Sequence, residues 1–143
     1  MKVLFVCKAN VGRSQMAEAY HNHLAKLRKL ENKADSAGTR VFERAGLSLD
    51  KLINKVNGIE NVILAMSDLG IDVSKNKLKQ LSEDLLNNYD KIIVMAEPET
   101  WPEYLKNNRK VEYWQIENPK DTSLETHKKV RDKIINKINE MLG

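Results

Sequence analysis

With 143 residues, 41% of them hydrophobic and 31% charged, the chain is long enough for one domain with a buried core, expected to span 1–143. Its apolar runs are too short to cross a membrane, the opening VLFV is too short for a secretory signal, and one cysteine excludes an internal disulfide, so a reducing, cytoplasmic setting is expected. The net charge of +4 suits an anionic ligand, but the basic residues are scattered with no aromatic ladder among them, so neither nucleic acid nor a membrane is expected as a partner.

Residues 2–7, KVLFVC, are apolar and β-branched and predict a short buried strand. The segment 11–30 predicts a helix, with Met16, Tyr20, Leu24 and Leu27 at helical spacing. A second strand is expected over 33–39, ending at Gly38. Gly46, Ser48 and Asp50 mark a loop leading into a helix near Leu49. Apolar spacing continues over 60–69 to Gly70, so 48–69 is either one helix broken at Gly58 or two. A short helix is expected over 78–88, a strand over 90–96, a proline turn with a short helix over 97–105, and a fourth strand over 111–116. The last element, 124–142, is an amphipathic helix with Val130, Ile134, Ile138 and Met141 on one side. Strands alternating with helices predict an α/β domain with a parallel sheet, whose ligands sit beyond the carboxyl ends of the strands. Cys7 is the last residue of the first strand.

The segment CKANVGRS, residues 7–14, joins that strand to the first helix. Gly12 would let the backbone approach a ligand closely. Inward-facing amides of Lys8, Ala9, Asn10, Val11 and Gly12, together with the free N–H groups of the helix end, would make an anion nest. Arg13 can add two parallel hydrogen bonds to a tetrahedral oxyanion. The same field favours a thiolate at Cys7, and the Ser14 hydroxyl can donate to it.

Cys-x5-Arg-Ser after an N-terminal strand, continuing as GRSQMAEA, resembles the low-molecular-weight protein tyrosine phosphatases and the thioredoxin-coupled arsenate reductases that share their fold. The resemblance continues at Ser36-Ala37-Gly38-Thr39, GIDVS (70–74), IIVMAE (92–97) and ENP (117–119), and spans essentially the whole chain. It implies a three-layer doubly wound domain: a four-stranded parallel sheet in the order 2-1-3-4, with helices on both faces. It also implies Cys7 as nucleophile, Arg13 as phosphate clamp, and Asn10, Ser14 and Ser36 as loop supports. A phosphorylated protein or small aryl phosphate would be the substrate, and inorganic phosphate, sulfate or arsenate would bind as ligands.

The chain departs from that pattern where it matters for proton transfer. The family's Asp-Pro, which protonates the leaving oxygen and then activates water, is Asn118-Pro119 here. An amide has no proton to give, and such help is worth about 10²–10⁴-fold. Three readings follow: Glu117 or Asp121 replaces the aspartate, or the enzyme is slow and limited to good leaving groups, or the chain is a degenerate phosphatase that binds phosphate or a phosphopeptide. Gly12 stands at a second cysteine's place and Lys120-Asp121 where the family carries aromatics, so a protective disulfide is excluded and aryl preference loses support. Val11 occupies the threonine position of the family's arginine phosphatases and disfavours phosphoarginine. Asn76 stands where the family has a loop histidine, a change that would alter the network holding Asn10. A thiol-relay arsenate reductase is excluded by the single cysteine, whereas one using an external small thiol stays open. No metal or cofactor is expected. His21 and His23, two apart on a helix, face different ways, and His127 is isolated. Trp101 and Trp114 are expected in the core or at its margin, and Phe42 in ordinary packing or at a pocket mouth.

Overall fold

The computed structural model describes residues 1–143. Four strands, β1 (Lys2–Cys7), β2 (Lys33–Gly38), β3 (Lys91–Val94) and β4 (Val111–Tyr113), form one sheet in the order β2-β1-β3-β4. Every pairing is parallel: Cys7 lies opposite Gly38, and Val6 opposite both Ala37 and Val94. Four helices follow in turn, α1 (Arg13–Leu27), α2 (Ile59–Ser67), α3 (Glu103–Lys106) and α4 (Leu124–Leu142).

Alternation along β1 and β3 divides the core between the two faces of the sheet. Val3, Phe5, Ile93 and Met95 pack with Met16 and Ala17 of α1, Ile59, Val62 and Met66 of α2, and Val130, Ile134 and Ile138 of α4. Leu4, Val6, Ile92, Val94 and Ala96 face the other way and pack with Leu81, Leu86 and Leu105. The covering is lopsided: three long helices on one side, and only α3 and a 3₁₀ turn at Asp84–Asn88 on the other. Trp114 is buried against Phe5 at 5.8 Å between ring centroids, and Trp101 sits at the margin of the second cluster.

The expected helix over 78–88 is not formed. Residues 77–80 run extended, bridging Ser48 and Gly38, and only Asp84–Asn88 turn as 3₁₀. Their backbone groups are taken by distant partners: Lys79 O accepts from Gly38 N at 2.9 Å, and Leu78 exchanges bonds with Gly46 and Leu47. The apolar spacing misled because Leu78 belongs to one core cluster and Leu81 and Leu86 to the other. The region 48–69 divides at Gly58, whose φ of 93 starts α2, leaving a 3₁₀ turn at Leu49–Leu52 before it. On α1 the buried face runs through Ala17, His21 and Ala25, while Leu27 is exposed. Phe42 is exposed as well, with Arg40 6.0 Å from its ring centre.

Candidate active site

The chain leaves β1 on one side toward β2 and returns on the other as β3, so a crevice opens beyond the carboxyl ends of β1 and β3. Cys7 ends β1 there, and the loop 8–12 carries the chain into α1. The left-handed residue of this loop is Asn10, at φ 57, while Gly12 keeps φ −125 and ψ −93. Asparagine tolerates that conformation better than most residues. Gly38 provides the floor: a Cβ there would lie 2.6 Å from Lys8 O and 2.9 Å from Asn10 N, so only glycine lets the loop sit down on β2.

Asn10 is fully buried and uses its whole amide. Nδ2 donates to Ser14 Oγ at 2.7 Å and Ser36 Oγ at 3.0 Å, and Oδ1 accepts from Gln15 Nε2 at 3.2 Å and Lys79 N at 2.9 Å. Ser36 in turn donates to Glu18 at 2.8 Å, and Glu18 pairs with Lys79 at 3.1 Å. Asn76 takes no part, because the loop is reached through the Lys79 amide instead. Ser14 Oγ, accepting from Asn10, lies 2.9 Å from Cys7 Sγ and keeps its own proton available to the sulfur. The Asn10 amide adds a second donor at 3.3 Å. Donors aimed at a sulfur favour its anionic form.

Helix α1 begins at Gly12 with no side-chain cap and no acidic residue in its first turn, which leaves its first amides and positive end facing the crevice. The Arg13 guanidinium is buried and shares Nη1 among Met95 O at 2.6 Å, Ile116 O at 3.0 Å and Glu97 Oε2 at 3.1 Å, with Nη2 3.5 Å from Glu97 Oε1. Nε finds no protein acceptor. Burial pushes the Glu97 carboxyl up, but its own backbone amide, Arg13 and Lys8 together hold it below the usual carboxylate range.

Cys7, loop residues 8, 9 and 11–13 and the 118–120 turn line one cavity of about 200 Å³. Arg40, Arg44 and Lys120 stand around it with Lys8 and Arg13, and no carboxylate lines it. Lys8, Arg40, Arg44 and Lys120 take part in none of the molecule's ion pairs. Val11, Val56, Val62 and Pro119 supply an apolar wall. The structure brings Asn118 to this cavity, with Oδ1 accepting from Lys120 N at 3.1 Å, but not the two carboxylates suggested as substitutes. Glu117 points away to Lys133 at 2.6 Å, and Asp121 accepts from Asn57 at 3.2 Å outside the cavity lining.

Several residues of the site carried no signal in the sequence. Glu97, Arg40 and Arg44 are remote from the loop in the chain, and His127 of α4, isolated in the sequence, forms part of the cavity wall. Only Glu97 lay inside a stretch, IIVMAE, that could have drawn attention.

Residues 2–142 match the family described as low molecular weight phosphotyrosine protein phosphatase. A low molecular weight protein-tyrosine-phosphatase, Ptp, of Acinetobacter johnsonii is 31% identical over 125 residues, covering 83% of this chain and 78% of that protein. A glutaredoxin arsenate reductase of Synechocystis sp. is 27% identical over 147 residues, covering 99% and 96%. The crystal structure of a low molecular weight protein tyrosine phosphatase from T. tengcongensis superposes with a TM-score of 0.79 at 26% identity, covering 99% of this chain and 97% of the other. Because the match runs from the first residue of β1 to the last of α4, the chain belongs to the low molecular weight phosphotyrosine protein phosphatase family, whose fold arsenate reductases share.

Proposed function

We propose that the chain is a cysteine-dependent phosphomonoester hydrolase acting through a phosphocysteine intermediate. One observation carries this reading: the Cys7 sulfur lies 2.9 Å from the Ser14 hydroxyl in front of an uncapped helix end, inside a cavity ringed by cations. A thiolate so placed is the attacking species. As the Sγ–P bond forms and the ester P–O bond breaks, Arg13 Nε and the loop amides take the charge on the three equatorial oxygens and offset the repulsion between sulfur and phosphate. Water then attacks phosphorus, releasing phosphate and restoring the thiolate. The apolar wall suits the organic part of a small aryl phosphate or a phosphorylated side chain. Inorganic phosphate, sulfate and arsenate fit as competing oxyanions.

A second reading, arsenate reduction with an external small thiol, is favoured by the 27% identical glutaredoxin arsenate reductase together with the lone cysteine, which excludes a relay within the chain. The deciding experiment mixes the protein with p-nitrophenyl phosphate. A burst of nitrophenol followed by slower turnover, both lost in Cys7→Ser, is expected. Arsenate-dependent oxidation of glutathione without hydrolysis would transfer the site to the second reading. Phosphate binding with neither reaction would leave a binding module.

A further inference from the structure

We propose that His127 is the proton carrier of this site, taking the place of the acid that Asn118 cannot be; this rests on the phosphocysteine reading above. Its ring is buried on α4, only 1% exposed, yet it forms part of the cavity wall that Cys7 shares. Nδ1 lies 2.9 Å from Ser123 O, and a carbonyl only accepts, so Nδ1 carries a hydrogen and its role is fixed. That leaves Nε2 as the working nitrogen. The sealed polar atoms without partners are Gln15 Oε1, His21 Nε2 and Thr39 Oγ1. Nε2 of His127 is not among them and has no protein partner, so it is not sealed, and its residue lines the cavity.

Gly58, at φ 93, faces the ring: a Cβ there would lie 3.4 Å from Nε2 and 3.9 Å from Lys120 Cα. Nε2 therefore sits beside the 118–120 turn, the place from which the family's aspartate would act. Among the residues lining the cavity the alternatives are poor. Lysine ammoniums and arginine guanidiniums hold their protons near neutrality and cannot serve as bases, no carboxylate is present, and Cys7 is the nucleophile. Imidazole is the side chain suited to both giving and taking a proton near pH 7.

In the first step the thiolate of Cys7 forms the Sγ–P bond, and the electron pair of the breaking P–O bond goes to the leaving oxygen. That oxygen takes the proton from Nε2, directly or through one water. In the second step the neutral Nε2 takes a proton from the attacking water as its oxygen bonds to phosphorus and the Sγ–P bond breaks. Thiolate and imidazolium are both regenerated.

The test uses His127→Asn, whose amide can keep the donor to Ser123 O but lacks Nε2, and His127→Ala as a second variant. Phosphoenzyme formation is measured by rapid quench with phenyl phosphate, whose leaving group needs a proton, and with 2,4-dinitrophenyl phosphate, whose does not. The proposal expects a loss of about 10²-fold or more for phenyl phosphate and less than about threefold for the dinitro ester in His127→Asn. It also expects partial rescue of His127→Ala by added imidazole. Equal losses on both esters, or none on either, with a wild type that forms phosphoenzyme, would overturn His127 alone. A wild type that never forms phosphoenzyme would overturn both readings.

Discussion

Replacing Asn10 separates the cost of the loop's backbone from that of its hydrogen bonds. In Asn10→Gly the left-handed conformation at φ 57 is retained without penalty, and the four side-chain bonds disappear. The partners do not suffer equally. Gln15 keeps Lys77 O at 3.1 Å and Ser36 keeps Glu18 at 2.8 Å, but the Lys79 amide loses its acceptor. One unsatisfied donor costs about 1–3 kcal/mol and each of the other lost bonds about 0.5–1.5, so a loss of about 2.5–7.5 kcal/mol is expected. That is a large part of a domain's total of about 5–15 kcal/mol. Asn10→Ala loses the same bonds and adds about 1–2 kcal/mol for a side chain in the left-handed region. Urea unfolding of the three proteins in phosphate-free buffer should rank wild type above glycine and glycine above alanine. At a position of ordinary backbone the last two would reverse, because glycine is the more flexible in the unfolded chain. Alkylation of Cys7 should slow in both variants, since Ser14 Oγ is no longer held against the sulfur. A glycine variant as stable as wild type, or an alanine variant more stable than glycine, would refute the account of this loop.

Two further expectations concern pH. The folded-state pKa of Glu97 lies below its ordinary value of 4.5, so its contribution to stability is complete above that value and is lost as pH falls through the lowered one. Glu97→Gln should be less stable than wild type at pH 7, by under about 1 kcal/mol because the carboxylate is half exposed, and thermal melts should show the gap closing in acid. His21 is fully buried with Nε2 unpartnered, and desolvation holds its pKa below 6.5 despite the hydrogen bond that Nδ1 donates to Asn22 Oδ1. Stability should therefore be complete above pH 6.5 and fall as pH drops through the lowered value, and His21→Leu should flatten that slope in unfolding titrations.

The loop and its strand were legible because their logic is local. CKANVGRS carries Cys7, Arg13 and Ser14, the proposed nucleophile, clamp and hydroxyl donor, within eight residues, and the alternation of apolar runs is enough to imply a parallel sheet with Cys7 at its carboxyl edge. The sequence did not single out Asn10 as the left-handed residue of the loop, since glycine signals such backbone more strongly than asparagine, yet Asn10 adopts it. The segment 78–88 read as helix because periodicity cannot tell one buried face from two. Its backbone is used instead by Gly38, Gly46 and Asn10, between 30 and 70 residues earlier.

What the amino-acid order determined by itself was the chemistry available at residues 7–14 and the proton donor missing at 118. What the tertiary structure alone decided was the company those residues keep: Glu97 on Arg13, cations from the loop after β2, and His127 across the cavity. Contacts between residues so far apart in the chain leave no periodic or compositional trace. They exist only once sheet and helices have closed the distance.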